Sequence, residues 1–458
     1  MKNLMTFALL LLAMPLMMNC TKDGSIDQAN VMQIKDVGLR RDVFVRRYKM
    51  TGDYGRQRSY TPDDLKEFIE KIMEPDYLLI QDAYDKEMDK DPQIERKIDD
   101  FKINTIADNH PIKFSAMAVA AEALSELYQQ KAFTVDVELV MTNSWVMTED
   151  VHQYLLNGGI LEPPKEGQEH QFPRLVQFHD LTYGQKMIHP AVLERMATLK
   201  SGEISEPIYN SGMWTIIKLK QKRANSTLQP LSAIEKTLVD ELQGLNRYQQ
   251  QVQLLNELRS KYKIQIHTEY YPTMISAYIP QENQGWVDKT KIDDADLKHA
   301  FIQISEKTIS LSYFIADFNL AFQKVKTPRI TEIDLSRFAD DYINQYLLYL
   351  DVVDNKNPLN DLVMDQLVNK EHRLLLSHYL KTEIVDKVVV TDADAQKYYN
   401  ENRQRWQADF SKVTDTVRSE LRNKRLQEKR VEIEKALRKR YPVRYNEELL
   451  QQIADQLT

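Results

Sequence analysis

Two stretches of this chain repeat each other at a fixed spacing, and that spacing restricts the folds open to it. "DVFVRRY" from Asp42 and "SYFIADF" from Ser312 align through Phe44/Phe314, Val45/Ile315 and Tyr48/Phe318, each pair 270 residues apart. "TPDDLKEF" from Thr61 and "TEIDLSRF" from Thr331 keep that offset through Asp64/Asp334, Leu65/Leu335 and Phe68/Phe338. Tyr128 of "LSELYQQK" and Tyr399 of "AQKYYNEN" are 271 apart. Beyond them the offset becomes 179: "LSAIEKTLVDEL" from Leu231 pairs with "FSKVTDTVRSEL" from Phe410, and Leu258, Arg259 and Tyr262 pair with Leu437, Arg438 and Tyr441. Chance matches do not hold two constant offsets, so the spacing predicts two related copies. The first copy carries about 92 extra residues between Tyr128 and Leu231.

The shared parts read as helices. Leu231, Ile234, Leu238, Leu242 and Leu245 recur every three or four residues, as one buried face of a long helix requires. Thr61, Pro62, Asp63 and Asp64 form a helix start: a capping hydroxyl, a proline that needs no donor, and acids at the positive dipole end. Only 12 residues are glycine, which argues against a turn-rich all-β fold. At 42% hydrophobic and 28% charged, the chain can bury a core. Its net charge of -7 excludes a global basic field for nucleic acid.

The extra block changes period. "TVDVELVM" from Thr134 alternates and is β-branched, hence a strand. "EDVHQYLL" reads as a short helix ended by "NGG", "PRLVQF" as a second strand, and "PAVLERMATLK" from Pro190 as a helix with proline at its start. "SGEISEPIY" and "MWTIIKLK" read as the last two strands. The expected fold class is therefore α+β: mostly helical modules in two related copies, with a small α+β domain inserted in the first. The expected boundaries are 21–129 for the first helical module, 130–224 for the inserted domain and 225–268 for a long helix completing that module. A connector follows at 269–299, then the second module at 300–458. "EYYPTMISAYIP" from Glu269 reads either as an exposed apolar segment or as a linker packed on one lobe.

The first twenty residues, "MKNLMTFALLLLAMPLMMNC", have a charged start at Lys2 and an apolar run from Leu4 to Met18, too short for a membrane span. They read as an export signal. The run ends at Cys20, the only cysteine, and resembles the lipobox of bacterial lipoproteins, in which that thiol carries the lipid. Met17, Met18 and Asn19 depart from the usual lipobox residues. The expectation is an exported protein, periplasmic or on the cell surface, anchored to a membrane through Cys20. One cysteine forms no internal disulfide, so stability has to come from packing.

"GQKMIHPAVLERMATLKSGEISEPIYNSGMWTIIKLKQKR" resembles the parvulin-type (PpiC) prolyl isomerase domain of SurA/PrsA-type foldases, "LKSGEISEPI" most specifically. The flanking "FVRRY" and "LKEFIEKIMEPDYLLIQDAYDKEMDKDPQIERKI" resemble the helical chaperone part of that family, so the likeness covers most of residues 30–268. It implies a peptidyl-prolyl cis-trans isomerase, which lowers a barrier of about 18–20 kcal/mol by burying the proline ring and stabilising the twisted amide. It implies no cofactor and no metal. The partners it implies are unfolded or proline-containing exported polypeptides.

The resemblance places the family's two histidines at Glu138 and Thr215. It places the substrate-binding positions at Met187 or Ile188, at Val192 and at Trp214. With both histidines replaced, the implied function is an extracytoplasmic, membrane-anchored foldase or chaperone whose isomerase domain is weak or inactive. An active isomerase and a non-catalytic interaction lipoprotein of an envelope complex are the alternatives. His179 and His189 are candidate substitutes for the lost pair, or ordinary histidines of the domain surface. His372 and His378, six apart, share neither a helix face nor a metal spacing. No His-Glu-x-x-His, glycine-rich phosphate loop or Gly-x-Ser-x-Gly elbow occurs. The basic "RSELRNKRLQEKRVEIEKALRKR" reads as a solvated helix face laced by i,i+4 pairs such as Glu434 and Arg438.

Overall fold

A computed structural model describes residues 26–457 apart from 53–59, 164–171, 186, 211, 282–284, 324 and 326. Cys20 and the export segment lie outside the described residues. The described residues form two compact units, one of residues 26–102 with 359–457, the other of 103–358.

In the first unit a hairpin, Asn30–Ile34 and Val37–Arg40, gains a third strand from Val443–Tyr445, with Met32 opposite Tyr445 and Ile34 opposite Val443. Helix Arg41–Met50 follows the hairpin and buries Phe44 and Tyr48 against Leu65 and Phe68. Thr61 and Asp64 form the capping box that opens Pro62–Phe68, with Pro62 in the first turn. That helix continues through a π-turn, Ile69–Met73, into Glu74–Asp85. Helices Asp361–Tyr379, Phe410–Arg440 and Glu447–Leu457 complete the core around Leu375, Tyr379, Leu437 and Leu450.

In the second unit the hairpin Ala300–Ile304 and Lys307–Ser310 takes its third strand from Ile264–Ile266, directly after the long helix Leu231–Lys261. Helix Leu311–Phe322 buries Phe314 and Phe318, and the Thr331/Asp334 capping box opens Glu332–Asp354. Tyr271, Met274, Ala277 and Tyr278 are buried in this core, so "EYYPTMISAYIP" is a packed element and not an exposed one. The same unit holds residues 133–224, which run strand, helix, strand, helix, strand, strand. Of "SGEISEPIY" only Ile208 and Tyr209 lie in a strand, Ile208–Asn210. The rest is a turn held by Ser205, whose amide donates to the Ile217 carbonyl at 2.8 Å.

Helix Leu231–Lys261 packs Leu238 and Leu242 on Leu127 in the unit of residues 103–358, and the chain from residue 359 onward belongs to the other unit. Hairpin Asn30–Arg40 takes its third strand from directly after helix Phe410–Arg440, and hairpin Ala300–Ser310 from directly after helix Leu231–Lys261.

The two units match in detail. Both hairpin turns place a residue at left-handed φ, Lys35 at 49° and Ser305 at 52°. Tyr441 donates to Asp85 at 2.9 Å, and Tyr262 donates to Asp354. The pairs Asp82/Asp351 and Asp85/Asp354 are 269 apart and not 270, because the π-turn at Ile69–Met73 takes up one extra residue that helix Glu332–Asp354 lacks. In the C-terminal helix Glu434 pairs with Arg430, while Arg438 reaches the buried Glu74 at 2.8 Å. Among the described residues no helix is long and apolar enough to cross a membrane.

Candidate functional site

The site positions lie on one four-stranded antiparallel sheet, ordered Arg174–Leu181, Phe133–Thr142, Met213–Ala224, Ile208–Asn210. Strand alternation sends neighbouring side chains to opposite faces. Leu139 and Ile217 pack under helix Pro190–Thr198, whereas Val140 and Ile216 pack under helix Trp145–Leu156. In the register Glu138 lies opposite Lys218 and Thr215 opposite Met141. Glu138 therefore shares the face of Val140 and Ile216, and Thr215 shares the face of Leu139 and Ile217. The two histidine positions of the family are on opposite faces of this sheet and three ladder steps apart.

Glu138 is buried and fully engaged. Lys220 Nζ lies 2.5 Å from its Oε1, and Gln177 Nε2 donates to the same atom at 2.7 Å. Burial opposes its ionisation, but these two donors outweigh burial and hold its pKa below the ordinary carboxylate value. A carboxylate so held is a poor proton carrier. Thr215 is 4% exposed, and its Oγ1 accepts from Asn210 Nδ2 at 3.1 Å.

The expected substrate-binding residues separate. Ile188 and Val192 are core residues beneath helix Pro190–Thr198, packed with Leu139, Met196 and Ile217. Met187, next in sequence to Ile188, is 72% exposed. Trp214 turns to the other face and is 5% exposed. Its ring centroid is 4.7 Å from that of Trp145 and 5.0 Å from that of Tyr209, and the Arg337 guanidinium lies 5.7 Å from the rings of Trp214 and Tyr209.

This aromatic cluster fastens the sheet to helix Glu332–Asp354. The Tyr209 hydroxyl donates to Asp341 at 2.5 Å, and the Trp145 amide donates to Asp334 at 2.7 Å. Asp334 thus holds the sheet's first helix with one oxygen while its other oxygen caps its own helix through Thr331. Burial raises the pKa of Asp334 and of Asp341 against these hydrogen bonds. The sequence gives no hint of this contact, since Trp145 and Asp334 are far apart in the chain and neither breaks its local pattern.

The histidines do not replace the missing pair. His189 accepts the Ala191 amide at 3.2 Å as a helix cap and meets the Tyr248 ring edge-on. Burial lowers its pKa, with Glu194 opposing. The His179 side chain is 73% exposed beside Asp136. A second feature escaped the sequence reading: a buried ion pair, Lys131 to Glu241 at 2.8 Å, on the wall of a cavity of about 310 Å³. Lys131 also donates to the Tyr183 carbonyl, so its charge is spent on structure. Among the described residues no group of three or more metal-ligating side chains converges.

No family model matches the chain, and no curated protein does. Among solved structures, foldase protein PrsA from Streptococcus pneumoniae is similar at 10% identity and a TM-score of 0.22, over 48% of this chain and 87% of that one.

Proposed function

We propose that this chain is an exported, membrane-anchored foldase or chaperone of the SurA/PrsA type, in which the sheet of residues 130–224 binds polypeptide without isomerising it. The observation that carries this reading is the placement of Glu138 and Thr215. One is locked in an ion pair and the other is buried on the opposite face. Glu138 and Thr215 therefore face no common pocket, and Ile188 and Val192 are packed in the core under the sheet's helix Pro190–Thr198. A binding role is supported by apolar side chains that the domain leaves in solvent: Tyr154 at 50%, Leu156 at 52%, Ile160 at 75% and Met187 at 72% exposed. Methionine suits a surface that adapts to many sequences.

We read the helical scaffold as two related copies, a reading supported by the matched capping boxes, hairpin turns and tyrosine–aspartate bonds. The lipid anchor at Cys20 and the extracytoplasmic location belong to the same proposal and rest on the N-terminal sequence. The test is to follow aggregation of a denatured client with the full chain present, beside prolyl exchange in an X-Pro peptide by NMR. Suppressed aggregation with unaccelerated exchange is expected. Accelerated exchange at catalytic concentration would make the chain an isomerase and overturn the reading. Metabolic labelling with radioactive palmitate, lost in Cys20→Ser, tests the anchor separately.

A further inference from the structure

The first unit has a surface pocket of about 410 Å³ lined by Lys35, Asp85, Arg440, Tyr441, Pro442 and Arg444. These residues come from the hairpin turn, the end of helix Glu74–Asp85 and the junction between the long helix and its closing strand. Three cations thus face one lining carboxylate. That carboxylate is already occupied: Asp85 takes Lys35 Nζ at 2.7 Å and the Tyr441 hydroxyl at 2.9 Å. Arg440 reaches the buried Asp82 behind the wall at 2.9 Å and Asp85 at 3.5 Å, and its guanidinium covers the Tyr441 ring. Asp36 lies 3.9 Å from Lys35 on the hairpin. Arg444 makes no ion pair among the described residues.

The second unit supplies an internal reference. Its matching corner keeps the tyrosine–aspartate bond, Tyr262 to Asp354, and keeps a cation over the tyrosine ring, Lys261 at 4.7 Å. The framework is therefore the same. What differs is the dressing: Ser305, Lys261, Lys263 and Gln265 stand where the first unit has Lys35, Arg440, Pro442 and Arg444. The corner needs neither guanidinium to fold. Two guanidinium forks and an ammonium around one recess form the donor set that matches the oxygens of a phosphate group.

We propose that this pocket binds a phosphate group, with Arg444 as the uncommitted fork and Lys35 and Arg440 as its supports. The chemistry is shared by free phosphate and by an anionic lipid headgroup, and the test separates them. The full chain is titrated with inorganic phosphate, followed by phosphorus NMR. It is also floated with vesicles of phosphatidylcholine alone or mixed with phosphatidylglycerol, at about 0.15 M salt so that general charge attraction is screened. The variants Arg444→Gln and Lys35→Ser adopt the residues of the second unit, and circular dichroism melting confirms that they fold. Binding weakened about tenfold or more by Arg444→Gln, and further by the pair, is the expected result. Binding to phosphate identifies the free ion, and binding only to phosphatidylglycerol vesicles identifies the headgroup. No binding of either probe by the wild type, or binding that the double variant leaves unchanged, overturns the proposal.

Discussion

Truncating Trp214 to alanine separates a packing residue from a binding residue. The ring is 5% exposed and meets two aromatic rings at 4.7 and 5.0 Å, with Arg337 over it. Removing a buried tryptophan side chain costs about 3–5 kcal/mol. Of that, each aromatic contact accounts for about 0.5–1.5 kcal/mol, and the Arg337 contact for about 0.5–1 kcal/mol. Trp214→Phe keeps one ring in the cluster and is expected to lose less than half as much. Urea unfolding read by circular dichroism measures the loss, and hydrogen exchange locates it. Amides at both ends of the contact, near Trp145 and along residues 332–341, should lose protection together. A stability loss below about 0.5 kcal/mol, the size of a typical surface substitution, accompanied by weakened peptide binding, would refute this reasoning and return Trp214 to the substrate-binding role.

The double variant Glu138→His, Thr215→His is expected to gain no prolyl exchange activity by NMR, because the two rings would stand on opposite faces of the sheet. It should also be less stable, since histidine overpacks the Thr215 site by about 1–3 kcal/mol. Tyr441→Phe and Tyr262→Phe should each cost about 1–3 kcal/mol, the worth of a hydrogen bond to a carboxylate, in separate denaturant titrations. His372 lies between Tyr77 and Tyr84, and burial pushes its pKa down to about 4, with Glu371 opposing. Its unfolded value is the higher one, so the unfolded chain binds the extra proton first. Stability should therefore fall as pH drops from about 6.5 to about 4, and His372→Phe should flatten that slope in urea titrations.

Local structure was largely legible in the sequence. Thr61, Asp64, Thr331 and Asp334 gave the helix starts, because capping chemistry acts over four residues and needs no distant partner. The succession of elements in residues 133–224 followed from the change of hydrophobic period. Alternation also puts Trp214 and Thr215 on opposite faces. The relation of Glu138 to Thr215 was not legible, since it depends on the register between two strands, and a shift of one residue reverses the answer. The partners of Trp214 were hidden for a similar reason: Asp334 and Asp341 look like ordinary members of a helix that has its own cap and its own core face. The partner of each hairpin was hidden because strands of three residues, such as Ile264–Ile266 and Val443–Tyr445, carry too little pattern to name a distant edge.

That pairing sets a timetable for a chain made from its N-terminus. Residues 103–358 have every strand and helix of their unit once the last of them has emerged. The hairpin at Asn30–Arg40 is made long before its third strand, Val443–Tyr445. Until then the outer edge of Asn30–Ile34 remains open to any other extended chain. A ribosome that stops short of Val443 leaves a finished middle attached to a sticky beginning.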